Sequence, residues 1–248
     1  MRRASCRGAS QPNSSLPDRP APVALARPPA ALVFDLDGTL IDSRRDITTA
    51  VNRIRERFGL PLLSLDKVVG MVGEGARILV ERAFGADLPA ERLDEVQALY
   101  LAAYRDVCLD ETRPYPGVPA MLTALGARYP LALLSNKGEE LSRFILAGLG
   151  LDGCFRALLG GDSLATRKPD PAGLRVLAER LDVPVERLLL VGDTRIDAAT
   201  ARNAGCPFAL VEWGFPHPPG AAELEADLRA VTAADLAAAL LELAESLA

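Results

Sequence analysis

The chain has 248 residues, of which 49% are hydrophobic and 25% charged, a balance ordinary for a globular protein that can bury a sizeable core. Its net charge of −5 at pH 7 gives no electrostatic reason to bind nucleic acid or an anionic membrane surface. No apolar run approaches the roughly 18 residues that a membrane-spanning helix needs.

The cysteines and the histidine argue against two kinds of site. The four cysteines form no C-x-x-C pair, so neither a zinc site nor a disulfide framework is indicated; they are Cys6, Cys108, Cys154 and Cys206. The only histidine, His217, lies in a proline-rich stretch, and a Ser-His-Asp triad would depend on this one loop residue. Free thiols are typical of a reducing compartment, so we expect a cytoplasmic protein.

Residues 1–29 are predicted to be a disordered tail that catalysis does not need. They contain five arginines and six prolines but only one acidic residue. An arginine-rich, acid-poor composition is also typical of an organelle transit peptide, although the prolines disfavour the amphipathic helix of such a peptide. The first core strand is expected to begin near Ala31.

Five apolar, β-rich runs alternate with helical patterns along the rest of the chain. The runs are continuously apolar, which is typical of strands buried on both faces of a sheet. The strands are predicted at Ala31–Asp37, Leu131–Asn136, Phe155–Gly161, Leu188–Asp193 and Pro207–Trp213, and helices at Glu139–Leu149, Pro171–Leu181, Asp197–Ala204 and 232–247. Thr232 and Asp235 have the spacing of a capping box at the start of the last helix. This order predicts an α/β fold with a doubly wound parallel sheet, a Rossmann-like core.

The interval from Gly38 to Pro130 contains no predicted strand and is much longer than a simple crossover. Four amphipathic helices are predicted there, at Ser43–Phe58, after Ser64, at Ala76–Phe84 and at Ala90–Val107. Four such helices can form a small bundle. We therefore predict a helical cap domain at residues 43–113, inserted into a catalytic core of residues 30–42 and 114–248.

The segment Asp35-Leu36-Asp37-Gly38-Thr39 follows the first predicted strand directly. Two carboxylates two residues apart point to the same side of an extended chain, so they could converge on one metal ion or phosphoryl group. Gly38 lets the backbone approach an anion, and the N–H groups of the turn can face it. The alternative is an acidic turn that caps a helix.

Polar residues also follow two further predicted strands. Ser135 and Asn136 come after the second strand, where a hydroxyl and backbone N–H groups suit a phosphoryl oxygen, although a serine there could simply cap a helix. Lys168 lies in Lys168-Pro169-Asp170-Pro171, a rigid loop that leads into a helix. A lysine held there could neutralise a carboxylate and a phosphate; otherwise it is a solvated surface lysine.

Two more carboxylates follow the fourth predicted strand. Asp193 leaves the sheet at the same edge as Asp35, and Asp197 comes four residues later, on the same face of a helix. Carboxylate oxygens are the ligands that Mg²⁺ prefers. The segment Gly192-Asp193-x-x-x-Asp197 is weak evidence for a metal site by itself, but strong evidence when it follows the three other segments in this order, each at the end of a predicted strand.

Together these segments resemble the four motifs of the haloacid dehalogenase superfamily, whose members include aspartate-nucleophile phosphohydrolases. The helical insertion resembles the four-helix cap of that superfamily. Within it, the chain most resembles phosphoglycolate phosphatases, in Val72-Gly73-Glu74-Gly75-Ala76, Pro116-Gly117-Val118, Ser135-Asn136-Lys137, Lys168-Pro169-Asp170-Pro171 and Gly205-Cys206. The resemblance runs from about residue 30 to the C-terminus.

The resemblance implies roles for individual residues. Asp35 would be the nucleophile and Asp37 the general acid and base. Mg²⁺ would be held by the Asp35 side chain, the Asp37 backbone carbonyl and Asp193, with Asp197 orienting its water shell or ligating it. The transferring oxygens would be held by Ser135, Asn136, Lys168 and the backbone N–H groups of Gly38 and Thr39.

Specificity is expected to come from the cap. Gly73 and Gly75 permit a tight loop near the ligand, and Arg77 and Arg44 are candidates to bind a second anionic group of the substrate. Arg77 is the preferred candidate, since it lies two residues past Gly75 and could pair with a carboxylate.

The function expected from these observations is Mg²⁺-dependent hydrolysis of a small phosphorylated metabolite, with 2-phosphoglycolate the best single candidate. A sugar phosphate, an amino-sugar phosphate or pyrophosphate are the alternative substrates. A phosphomutase is disfavoured because the cap has no histidine, and a dehalogenase because Asp37 is present. A catalytically silent binding module is disfavoured because Asp35, Asp37, Lys168 and Asp193 are all present. The oligomeric state is left open between monomer and dimer.

Overall fold

The computed structural model describes Leu25, residues 27–215 and residues 224–245. Most of the predicted tail, Cys6, His217 and the last residues of the predicted C-terminal helix lie outside these described residues. None of the described helices is long and apolar enough to cross a membrane.

The core is a six-stranded, entirely parallel sheet. Its strands are β1 (Ala31–Phe34), β4 (Leu131–Leu134), β5 (Ala157–Leu159), β6 (Leu188–Gly192), β7 (Phe208–Val211) and β8 (Leu228–Ala230). Their order across the sheet is β5-β4-β1-β6-β7-β8. All five predicted strands are confirmed, each shorter than predicted. β1, β4 and β6 are shorter only at their last residues, whereas β5 and β7 are shorter at both ends. β8 was not predicted, since three residues carry too little pattern to identify a strand.

Helices cover both faces of the sheet. The core helices are α5 (Val118–Gly126), α6 (Glu139–Gly148), α7 (Ala172–Leu181), α8 (Arg195–Ala204) and α9 (Ala233–Glu245). Side chains alternate along β1, so that Leu32 and Phe34 pack toward α5 and α9, whereas Ala31 and Val33 pack toward α7 and α8. The predicted α/β fold with a doubly wound parallel sheet is confirmed, and α5 is a helix that the sequence analysis did not identify.

The four predicted helices between the first two core strands are present and pack against one another. They are α1 (Arg44–Arg57), α2 (Leu65–Val69), α3 (Ala76–Phe84) and α4 (Leu93–Val107), and a short 3₁₀ turn, Ala90–Arg92, precedes α4. We call residues 44–107 the helical insert. Its division from the core as a separate domain stays a prediction.

The interval predicted to lack strands contains a short antiparallel ladder, which corrects that prediction. β2 (Ile41–Asp42) and β3 (Arg113–Pro114) form a two-residue antiparallel ladder where the chain enters and leaves the helical insert. Strands of two residues have no periodicity that a sequence could reveal. Asp46 accepts hydrogen bonds from the backbone of Glu111 and Thr112, which ties α1 to the return segment.

The predicted boundary of the tail is also corrected. Leu25 is only 8% exposed and packs with the core cluster that includes β1. The backbone carbonyl of Pro28 accepts a hydrogen bond from Arg187, and the N–H of Ala30 donates to the Arg187 carbonyl. The folded part of the chain therefore begins by Leu25, because one apolar side chain ahead of the prolines reaches the core.

Candidate active site

The carboxyl ends of β4, β1 and β6 are neighbours and bring three of the predicted motifs together. Asp35 follows β1, Ser135 follows β4 and Asp193 follows β6. Backbone hydrogen bonds continue past the strand ends, from the Asp35 N–H to the Val191 carbonyl and from the Ser135 N–H to the Leu159 carbonyl. The side chains at this edge are thus set by the sheet, where open parallel sheets bind ligands.

Three buried carboxylates meet at this edge. Oxygen atoms of Asp35, Asp193 and Asp197 all lie within 4.8 Å of one another, a grouping that could hold a metal ion. Asp197 is held by its capping box with Thr194 at the start of α8. Lys168 joins the group, with its Nζ 2.8 Å from Asp35 Oδ1 and 2.6 Å from Asp197 Oδ1.

The cluster contains three carboxylates and one ammonium, that of Lys168. The pKa of Asp35 is raised to about 6, because burial and the charge of Asp197 together outweigh the lowering effect of Lys168. Burial, together with Asp197 and Asp35, raises the pKa of Asp193 well above its usual range. Burial disfavours the Lys168 ammonium, yet Asp197 and Asp35 outweigh burial and raise its pKa above the ordinary value. Three carboxylates facing one ammonium leave an excess of negative charge that suits a divalent cation.

The turn after β1 depends on a glycine. Gly38 has a φ of +88°, and a Cβ at this position would lie 2.2 Å from Asp193 Oδ2, so a larger residue would displace that carboxylate. Asp193 is also held by Thr39 Oγ1, which donates to its Oδ1 at 2.9 Å, and by the Phe215 N–H. The predicted substrate-binding residues Gly38 and Thr39 therefore also fix an acidic residue of the cluster.

Asp37 lies apart from the acidic cluster. Its Oδ1 accepts hydrogen bonds from Ser43 Oγ and from Lys137 Nζ, the latter at 2.8 Å. Of the four residues predicted to hold the metal, the side chains of Asp35, Asp193 and Asp197 are grouped, whereas the Asp37 side chain is held by Ser43 and Lys137. A carboxylate held next to an ammonium at this position can exchange a proton with a group bound beside Asp35.

Asn136 joins the core to the helical insert. Its Nδ2 donates to the Lys168 carbonyl at 3.0 Å and to the Gly73 carbonyl at 2.9 Å. Both amide hydrogens are therefore used by the protein itself, and they fix the lysine loop and the glycine loop of the insert. Ser135 is buried beside it, and its Oγ accepts from the Lys137 N–H at 3.2 Å.

A cavity of about 60 Å³ lies between these residues and the helical insert. Its polar wall is formed by Asp35, Asp37, Ser135, Asn136 and Lys137, and the insert supplies the opposite wall, which is mostly apolar and includes Val72, Gly73, Gly75, Ala76, Leu79, Tyr100, Leu101 and Tyr104. The glycine loop thus reaches the site as predicted. Gly75 lies so close to the Asn136 carbonyl that a Cβ there would be 3.1 Å from it.

The predicted arginines are not brought to this cavity. Arg77 pairs with Glu81 at 2.7 Å and with Asp94, and Arg44 pairs with Asp42 at 2.6 Å. Neither is among the lining residues. Helical periodicity places Arg77 beside Glu81, four residues on, and this local partner holds the guanidinium away from the site.

Two residues that line the cavity were missed as site residues by the sequence analysis. Lys137 Nζ donates to Tyr104 Oη at 2.6 Å as well as to Asp37. Lys137 was noticed only as part of the Ser135-Asn136-Lys137 segment, although a chain with three lysines that places one directly after a motif offers a signal. Tyr104 was predicted only as part of a helix face, and its contact depends on how the insert packs on the core.

Comparisons with known proteins agree with this geometry. The family model for haloacid dehalogenase-like hydrolases matches residues 29–205. A phosphoglycolate phosphatase from Rhodospirillum rubrum is 42% identical over 77% of this chain and 83% of its own length. One from Cupriavidus necator is 40% identical over 81% of this chain and 88% of its own length.

Solved structures with a similar fold come from the same group of enzymes. The crystal structure of a predicted phosphoglycolate phosphatase from Haemophilus somnus superimposes with a TM-score of 0.80 at 30% identity, covering 84% of this chain and 96% of that one. The parallel sheet, the buried acidic cluster at its edge and the matched family model all indicate the same family. The chain belongs to the haloacid dehalogenase-like hydrolase family.

Proposed function

We propose that this protein is a Mg²⁺-dependent phosphatase that hydrolyses a small phosphomonoester, with 2-phosphoglycolate as its substrate. The observation that carries the proposal is the buried group of Asp35, Asp193, Asp197 and Lys168 at the strand ends, in a chain of this family. The choice of substrate is supported by relatives named phosphoglycolate phosphatase, at 42% and 40% identity.

In the proposed reaction Asp35 attacks the phosphorus atom, and the bond to the leaving oxygen breaks as an aspartyl-phosphate forms. Asp37 donates a proton to the leaving alcohol and then takes one from the water that hydrolyses the intermediate. Lys168 holds Asp35 in place and offsets the charge of the transferring oxygens, with Ser135 and the N–H groups of the turn.

The donor set fits a divalent cation. The three grouped carboxylates offer hard oxygen ligands. Burial, together with the charges of the neighbouring carboxylates, raises the pKa of Asp35 and of Asp193, so a cation between them would be favourable. We propose Asp35, Asp193 and the Asp37 backbone carbonyl as ligands, with Asp197 as a further ligand or as the residue that orients bound water. Mg²⁺ held there would reduce the repulsion between an anionic substrate and the nucleophile.

We propose that the helical insert acts as a cap over this site. The cavity beneath it is bounded by Asp35 and Asp37 on the core side and by the mostly apolar wall of the insert on the other. The contact between Asn136 and Gly73 supports closure of the insert on the core.

Phosphate release from a panel of substrates tests the proposal. With Mg²⁺ present, we expect kcat/KM for 2-phosphoglycolate to exceed that for ribose 5-phosphate, glucosamine 6-phosphate and pyrophosphate. The Asp35→Asn variant should lose at least about a thousandfold in kcat because it removes the nucleophile and little volume. Asp152→Asn, at an exposed position outside the site, is the matched control and should keep the wild-type rate. An Asp35→Asn rate within tenfold of wild type would exclude Asp35 as the nucleophile.

A further inference from the structure

We infer that Lys137, rather than an arginine of the helical insert, binds the carboxylate of the substrate and thereby selects it. This inference rests on the proposed function, since it assigns the residue that recognises the non-phosphoryl end of the same substrate. It begins from the cavity, where Lys137 carries the only cationic side chain among the described lining residues.

The position of Lys137 is fixed by two hydrogen bonds. Its Nζ donates to Asp37 Oδ1 at 2.8 Å and to Tyr104 Oη at 2.6 Å, and the ammonium lies 4.6 Å from the centre of the Tyr104 ring. The side chain is only 8% exposed. A lysine ammonium has three N–H donors, so two are used by the protein, and the third has no partner among the described residues.

The third donor lies on the correct side of the site for a carboxylate. In the proposed reaction Asp37 protonates the leaving oxygen, so that oxygen must lie within hydrogen-bond distance of Asp37. The carboxylate carbon of 2-phosphoglycolate is two bonds from the same oxygen. A group so close to the leaving oxygen lies beside Asp37 and therefore beside the ammonium that Asp37 holds.

Three other cations near the site are paired with acids, and Arg167, whose guanidinium lies beside Gly75, does not line the cavity. Lys168 is paired with Asp35 and Asp197 at the phosphoryl end. Arg77 and Arg44 are paired with acids of their own segments and do not line the cavity. The rest of the insert wall is largely apolar and offers no charge to a carboxylate. A carboxylate buried there without a cation would be strongly disfavoured, which leaves Lys137 as its partner.

The test compares two substrates that differ only at this group. In 2-hydroxyethyl phosphate a neutral hydroxymethyl replaces the carboxylate of 2-phosphoglycolate, and the ester oxygen and phosphate are the same. The selectivity is the kcat/KM for 2-phosphoglycolate divided by that for 2-hydroxyethyl phosphate. For Lys137→Met, which keeps most of the side-chain volume, we expect this ratio to fall about tenfold to hundredfold, the effect of losing one charge-assisted hydrogen bond.

The ratio removes effects that both substrates share, such as a disturbed Asp37. Arg77→Met is the matched control, and its ratio should stay within about twofold of wild type because Arg77 is in a half-exposed ion pair. Lys137→Arg should recover part of the lost selectivity. Binding of both phosphates to the inactive Asp35→Asn protein, with and without Lys137→Met, gives the same comparison as a ratio of Kd values, without turnover.

The outcomes separate the inference from the proposed function. A wild-type protein that prefers 2-phosphoglycolate, with a Lys137→Met variant that loses equally on both substrates, would overturn the inference and leave the proposed function intact. A fall in selectivity in Arg77→Met instead would transfer the role to Arg77. Wild-type protein without any preference for 2-phosphoglycolate would overturn both. If Lys137→Met melts far below wild type, Lys137→Gln is measured in its place against the same criteria.

Discussion

Asp35 and Asp37 show how two neighbouring residues acquire different chemistry. An extended chain would point both carboxylates to one side, as the sequence analysis assumed. The strand ends at Phe34, and the N–H groups of Thr39, Leu40 and Ile41 all donate to the Leu36 carbonyl, so the chain turns between the two acids. Asp35 consequently faces Lys168, and Asp37 faces Lys137. Different surroundings suit the different roles of nucleophile and proton donor.

The substitution Gly38→Ala, which adds one methyl group, tests whether the turn after β1 positions Asp193. Gly38→Ala would combine an unfavourable φ of +88° with a Cβ 2.2 Å from Asp193 Oδ2. We expect a loss of at least about a hundredfold in kcat/KM, because the displaced carboxylate is part of the acidic cluster.

The control for this prediction is Gly150→Ala. Gly150 also has a positive φ, +69°, but nothing lies within 4 Å of a Cβ there. It should lower the free energy of unfolding by about 1 kcal/mol, with kcat/KM unchanged. Comparable activity losses in both variants, measured by phosphate release and thermal melting, would show that backbone strain rather than the contact with Asp193 matters at Gly38.

Among the elements, α3 and the start of α9 follow from local pattern, whereas the ladder of β2 with β3 does not. α3 has the predicted bounds, and the Thr232–Asp235 capping box forms at the start of α9. The ladder of β2 with β3 has only two residues on each side, and its partners are far apart in the sequence. Such a ladder forms because the insert returns to the point where it left the core.

The segment that precedes β1 provides a prediction at the level of an element. A chain that begins at residue 30 loses the buried Leu25 and the hydrogen bond from Arg187 to Pro28. Burial of a leucine is worth about 1.5–3 kcal/mol, so we expect the melting temperature to fall by roughly 3–10 °C.

A chain that begins at residue 24 keeps Leu25 and is the matched control, with a melting temperature within about 1 °C of the full chain. The single substitution Leu25→Ala in the full chain should reproduce most of the loss. Equal melting temperatures for the chains beginning at residues 24 and 30 would show that Leu25 contributes nothing and restore residue 29 as the end of the tail.

At the scale of the whole molecule, metal binding to the acidic cluster should increase the stability of the folded chain. Its three carboxylates come from two strand ends and the first turn of α8, so they are together only in the folded chain. A cation that binds the folded state alone stabilises it, by about 2.7 kcal/mol at a hundred times its Kd. We expect Mg²⁺ to raise the melting temperature of EDTA-treated protein by roughly 5–10 °C.

Asp193→Asn should remove most of this shift, since it deletes one charge of the cluster and keeps the shape of the side chain. Asp152→Asn, outside the cluster, should keep it. A melting temperature that does not respond to Mg²⁺ in the wild-type protein, together with full activity in EDTA, would contradict the proposed metal site.

The fold class and the acidic edge of the sheet follow from the order of the amino acids alone. Continuous apolar runs specify buried parallel strands, and polar residues directly after Phe34, Leu134 and Gly192 must emerge at the same edge, since parallel strands end together. Those relations involve residues that are close in the chain or are related by the regular geometry of a sheet.

Which side chains face one another across the cavity depends instead on contacts between distant parts of the chain. The contact of Lys137 with Asp37 spans 100 residues, its contact with Tyr104 spans 33, and that of Asn136 with Gly73 spans 63. Each depends on the position of the helical insert over the core, which no local pattern specifies. Arg77, favoured by its closeness to Gly75 in sequence, instead pairs with Glu81 and Asp94, because the helix that contains it presents it to them.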